Sequence, residues 1–104
     1  MVYGEDMVVM STDILTRNDI SFGAKLSFAM ILTAALRQNT QSPKVNLSAI
    51  ARGIHATRAT VQASIRGLVT AGLVARDGVF GVVLTIRKDI YDQNVAYKLW
   101  VETA

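Results

Sequence analysis

The sequence predicts a mainly α-helical domain with a small β-hairpin, in which a three-helix core is followed by two short strands. Three observations carry this. At 104 residues the chain supports one domain with one hydrophobic core. Three segments show apolar residues at three- and four-residue spacing, opened by Ser21, Asn46 and Thr57, the residue types that cap helices. Beyond them, two runs rich in β-branched residues flank Asp77-Gly78, a dipeptide favoured in tight hairpins. The domain spans residues 1–104, with a core at about 8–88 and an extension at each end.

The elements follow in order. After the apolar stretch at Val8, Val9 and Met10, Thr12 caps a short turn through Ile14 and Leu15, which Asn18 and Asp19 end. Ser21 then caps a helix from Phe22 to about Gln38, with Phe22, Leu26, Ala29, Met30, Thr33 and Leu36 on one face. Ala24, Phe28, Ile31, Leu32 and Ala35 form a second apolar stripe, so this helix is expected to be covered on two sides. The terminal segments cover the second stripe either within the monomer or across a dimer; in the dimer, Phe28, Ile31 and Leu32 meet the regions around Val9 and Trp100. Asn39 to Lys44, with Pro43, is a loop, and Val45 is a candidate one-pair strand.

Leu47 to Leu73 holds the strongest pattern. Asn46 caps a first helix whose Leu47, Ile50, Ala51 and Ile54 face inward, and Ala51 is small where a second helix must cross close by. His55 and Ala56 form the turn. Thr57 caps the second helix, with Val61, Ile65 and Leu68 as its buried stripe and Val69 beside them. Gly72 is expected to close that helix in the left-handed conformation, with Leu73 folding back. In the turn His55 stands where glycine is common, and histidine tolerates positive φ better than most residues. A phosphate contact and a pH sensor are the alternative uses of His55. Gly67 inside the helix is either tolerated or selected for close approach.

The runs Leu73 to Arg76 and Val79 to Ile86 are expected to form the hairpin. Asp89 to Ala104 is either a helix capped by Asp89 with Tyr91, Val95 and Leu99 inward, or a strand from Val95 to Val101; Tyr97, Trp100 and Val101 lean toward the strand.

A helix pair of this kind followed directly by a hairpin resembles the winged helix-turn-helix superfamily, found in bacterial and archaeal regulators and in the N-terminal domains of phage and plasmid replication initiators. The resemblance covers about Val8 to Ile86. It implies sequence-specific binding of double-stranded DNA, in transcriptional regulation or in plasmid or phage replication or partition. It also makes Arg58 to Ala71 the recognition helix. On that helix Arg58, Gln62 and Arg66 recur every four residues opposite the apolar stripe, flanked by Ala59 and Ala63. Arginine and glutamine offer bidentate hydrogen bonds to guanine and adenine, and methyl groups touch the thymine methyl. Thr57, Thr60 and Ser64 add hydroxyls, and the N-terminal end of the helix suits a phosphate. Lys44, Arg76 at the hairpin base and Arg87 beyond it are expected backbone ligands. The alternative is a winged helix used as a protein-interaction or assembly module, without groove binding.

Charge favours a polyanion independently. From Ile20 to Arg76 there is no Asp or Glu, yet seven of the eleven Lys/Arg lie there, and the net charge of +3 understates that local field. The bland reading is a solvated face. A 51% hydrophobic composition in a small chain favours association, and a homodimer is expected.

Other classes are poorly supported. One histidine, no cysteine and no acids in the middle of the chain leave no spacing for a catalytic triad, paired carboxylates or a metal cluster, so neither an enzyme nor a cofactor is expected. The apolar run from Leu26 to Leu36 is about half the roughly 20 residues that span a bilayer. The opening MVYGEDMVVM lacks the basic region of a signal peptide, so no membrane association is expected and the location is expected to be cytoplasmic.

Overall fold

Among the residues that the computed structural model describes, 8–77 and 83–103, the elements run α1 (Thr12–Leu15), α2 (Phe22–Gln38), α3 (Leu47–Gly53), α4 (Arg58–Thr70), β1 (Val74–Asp77), β2 (Val83–Ile86) and α5 (Lys88–Thr103). The fold is mainly helical with a two-stranded antiparallel hairpin.

Capping sets the helix starts. The Ala24 amide donates to Ser21 Oγ at 3.0 Å, the Ala49 amide to Asn46 Oδ1 at 3.1 Å and the Thr60 amide to Thr57 Oγ1 at 3.1 Å. Each satisfies an N–H that the helix leaves unpaired. The first short helix is capped by Ser11, not Thr12, which is its first helical residue.

Three helices end in the same way. The amides of Thr40, Ala56 and Leu73 donate to the carbonyls of Ala35, Ala51 and Leu68 at 3.0, 2.9 and 3.0 Å. Each such loop needs one left-handed residue, and Asn39, His55 and Gly72 supply it with φ of 52°, 55° and 76°. His55 therefore does occupy the glycine-like position of the turn between α3 and α4. The same motif turns Leu73 inward, where it is fully buried.

The core corrects the reading of α2. Phe28, Ile31, Leu32 and Ala35 are each 0% exposed and join Val61, Ile65 and Leu68 of α4, Leu73 and the inward residues of β2 in one cluster. This stripe is intramolecular core, so the proposed dimer contact through Phe28, Ile31 and Leu32 is not available. Of the stripe beginning at Phe22, the first part is outward, with Phe22 75% exposed and Leu26 and Met30 partly so, whereas Leu36 at its end is buried. A helix apolar all round carries no signal of which face is buried; that is set by where α3, α4 and α5 pack.

Close packing uses small residues. A Cβ built on Gly23 of α2 would lie 3.5 Å from Ser64 Oγ of α4, and one on Gly53 would lie 2.7 Å from the Met30 terminal methyl. Gly67 has no such neighbour within 4 Å.

The strand register pairs Val74 with Ile86, Ala75 with Thr85, Arg76 with Leu84 and Asp77 with Val83. A two-residue turn at Asp77-Gly78 would instead set Arg76 opposite Val79, so the tight hairpin is corrected. The segment expected to continue β2 back to Val79 lies in part outside the described residues. On its other edge β2 takes up the loop before α3: Lys44 forms a bridge with Val83, and the Ile86 amide donates to the Gln41 carbonyl at 2.9 Å. The one-pair strand is thus at Lys44, not Val45.

The C-terminal segment is a helix, which overturns the lean toward a strand. Its inward residues are Ile90 and Asn94, whereas Leu99 is 55% exposed and Tyr91 and Val95 are half-buried. Asp89 is inside the first turn and does not cap it; the amides of Ile90 and Tyr91 donate to the Arg87 carbonyl. The buried Asn94 carboxamide accepts from the Val9 amide at 2.6 Å and donates to the Val9 carbonyl at 3.0 Å. Burial of a carboxamide is tolerated because both of its ends are satisfied. Among the described residues, no helix is long and apolar enough to cross a membrane.

Candidate nucleic-acid interface

Helix α4 buries Val61, Ser64, Ile65 and Leu68 and turns its opposite side to solvent. On that side Arg58, Ala59, Ala63 and Arg66 are exposed and Gln62 is half-buried, so the expected row shares one surface. Ser64 does not belong to it. It is 5% exposed and faces Gly23 across the crossing of α2 and α4, where a larger residue would hold the helices apart.

Thr57 and Thr60 open the helix together. Their hydroxyl oxygens lie 2.9 Å apart in a hydrogen bond, and Thr57 also caps the Thr60 amide. Part of their hydrogen-bonding capacity is thus used within the first turn. That turn contains no acid, so Arg58 sits at the positive end of the helix without a carboxylate nearby.

The cations divide sharply by partner. Outside the acid-free segment, Arg17 is paired with Asp19, Arg87 with Asp89 at 2.7 Å, Lys88 with Asp92 at 2.7 Å and Lys98 with Glu102 at 3.9 Å. The Arg17 and Arg87 guanidinium groups donate to Asp19 and Asp89 and hold both carboxyls below the usual carboxylate range. Inside the segment, the guanidinium groups of Arg52, Arg58, Arg66 and Arg76 have no hydrogen-bond or ion-pair partner among the described residues. Spacing gives no reason to single out Arg52, which joins this set because the end of α3 leaves it exposed.

The remaining expected ligands lie in three settings. Arg66 of α4 and Arg76 of β1 line one groove with Ile65, Val69 and Thr70. Arg76 also lines a second groove, with Arg87 and Lys88, but those two are engaged by Asp89 and Asp92. Lys44 lies apart from both, in a groove between α2 and α3 with Arg37 and Asn46. Its position is fixed through its backbone: Gln38 donates to the Lys44 carbonyl at 2.9 Å and accepts from the Lys44 amide at 3.0 Å.

Chemically, the arrangement offers charged planar donors, short methyl-bearing neighbours and no competing acid along α4. That set matches phosphate oxygens and the edges of bases. Comparison of the chain with protein-family models, with curated proteins and with solved structures finds no match.

Proposed function

We propose that the chain is a winged helix-turn-helix protein that binds double-stranded DNA sequence-specifically through α4. The observation that carries this reading is that Arg58, Arg66 and Arg76 have no acidic partner among the described residues, beside cations elsewhere that are matched to acids. A solvated face kept only for solubility needs no such segregation of charge. The turn at His55 and the hairpin that follows α4 support the same reading, because they give α4 a free outer side next to a β element. In this reading Arg58 and Gln62 address base edges and Arg76 and Lys44 hold backbone phosphates. Arg87 drops out of the ligand set because Asp89 occupies it.

Binding acts by occupancy, in transcriptional regulation or in plasmid or phage replication or partition, in the cytoplasm. One short recognition helix buries little surface, so the functional unit is a homodimer on two half-sites about 34 Å apart. The apolar surface left for that contact is on α2 at Phe22, Leu26 and Met30 and on α5 at Leu99 and Trp100.

The test is selection of a binding site from random duplexes, followed by titration over a range of salt. A steep, linear loss of log affinity with log salt supports the reading, at a slope of about −0.9 per phosphate neutralised. Absence of binding at low salt overturns it in favour of an assembly module. Sedimentation at micromolar concentration as an 11.3 kDa monomer that still binds one half-site tightly overturns the dimer.

A further inference from the structure

The row Arg58, Gln62, Arg66 does not have a uniform setting. Arg58 stands at the open N-terminal end of α4, whereas Arg66 lines the groove between α4 and the hairpin together with Arg76. Eight residues of helix separate Arg58 from Arg66, which at 1.5 Å per residue is about 12 Å along the axis. The DNA major groove is about 8.5 Å deep, less than that separation. A helix inserted by its N-terminal end therefore carries Arg58 to the groove floor and leaves Arg66 at the rim, where the phosphates are.

We propose that Arg66 and Arg76 form a two-arginine clamp on a single backbone phosphate at the root of the hairpin, and that Arg66 is not a base reader. This rests on the DNA-binding reading above. The groove has the chemistry for it. Two arginines without a carboxylate partner among the described residues line one depression from different elements, and Thr70 adds a hydroxyl. Ile65 and Val69 line the same groove and give it an apolar part suited to the deoxyribose next to that phosphate. Asp77, the neighbour of Arg76 in sequence, is not among the lining residues, as expected for a strand whose successive side chains point to opposite faces. Guanidinium groups bind phosphate oxygens through paired N–H donors, and two of them can share one phosphate through different oxygens.

The experiment is a titration of the selected duplex with the unmodified protein, R66A, R76A and R66A/R76A. Each is repeated on duplexes carrying one neutral methylphosphonate at successive backbone positions. All three variants alter exposed residues, and circular dichroism checks that they fold. A shared phosphate predicts that one methylphosphonate position weakens the unmodified protein and removes the effect of both substitutions. The double variant then loses about one unit of salt slope; separate phosphates predict about two. R66A should keep the base preference of the selected site. Sensitivity of R66A and R76A to different phosphates, or a relaxed base preference in R66A with the salt slope unchanged, overturns the clamp while leaving DNA binding standing. If the unmodified protein shows no salt-dependent binding, the DNA reading itself fails and the clamp with it.

Discussion

Asn94 and Val9, 85 residues apart, are joined like neighbouring strands: the Asn94 carboxamide accepts from the Val9 amide and donates to the Val9 carbonyl. A third bond, from the same Nδ2 to the Ile90 carbonyl, ties the side chain to its own helix. Asn94→Ala should therefore cost about 2 kcal/mol, because it removes three bonds and leaves a partly buried peptide unpaired. Urea denaturation measures the loss. Limited proteolysis near Val9 should speed up with it, and a variant as stable as the original would show that the tether contributes nothing.

Ile31 lies in the middle of the core stripe of α2 and is completely buried. A carboxylate there is surrounded by Phe28, Leu32 and the apolar residues of α4, with no cation in the cluster. Ile31→Asp should cost more than about 4 kcal/mol and leave no folded protein at 25 °C, as read by circular dichroism. A soluble, folded monomer from this variant would return the stripe to the role of a subunit interface.

His55 pays a backbone strain that depends on shape rather than charge. At φ 55° a β-branched side chain is disfavoured by about 1 to 2 kcal/mol, so His55→Val should lower the thermal midpoint, whereas His55→Gly should not. Equal midpoints for Val and Gly would mean that the turn between α3 and α4 has a different backbone.

Gly67 is helical, has no positive φ and would bring an added Cβ within 4 Å of no atom of the described residues outside its own helical turn. Gly67→Ala should stabilise the fold by about 0.5 to 1 kcal/mol through helix propensity. A shift of the urea midpoint to higher concentration is the expected result. Destabilisation would require a neighbour that the structure does not place there.

Arg58→Ala should weaken binding to the selected site by about 1 to 3 kcal/mol and relax the preference at one base pair. Titration at fixed salt against the site and its single-base variants measures both. An unchanged affinity would remove α4 from the groove.

Local physics made much of this molecule legible along the chain. Ser21, Asn46 and Thr57 mark helix starts because a short side-chain oxygen and the unpaired amides it satisfies lie within three residues. His55 and Gly72 mark helix ends for the same reason, since the left-handed residue and the bonds it permits are adjacent in sequence. The α4 row was legible because a buried stripe at 61, 65 and 68 dictates what faces outward. Tertiary structure alone decided the rest. Which stripe of α2 is core depends on partners in α3, α4 and α5, distant in sequence, and either face would satisfy periodicity. The C-terminal helix buries a polar Asn94 and exposes Leu99 and Trp100, so its apolar pattern pointed to the wrong side; the deciding partner is the backbone of Val9. Composition likewise revealed an acid-free segment, and the ion pairs outside it join residues only two or four apart, but only the fold brings Arg66 and Arg76 to the lining of one groove. The physical reason is common to all three: capping, periodicity and local ion pairs act within a turn or two of chain, whereas burial and the meeting of side chains from different elements depend on distances that the packed helices alone determine.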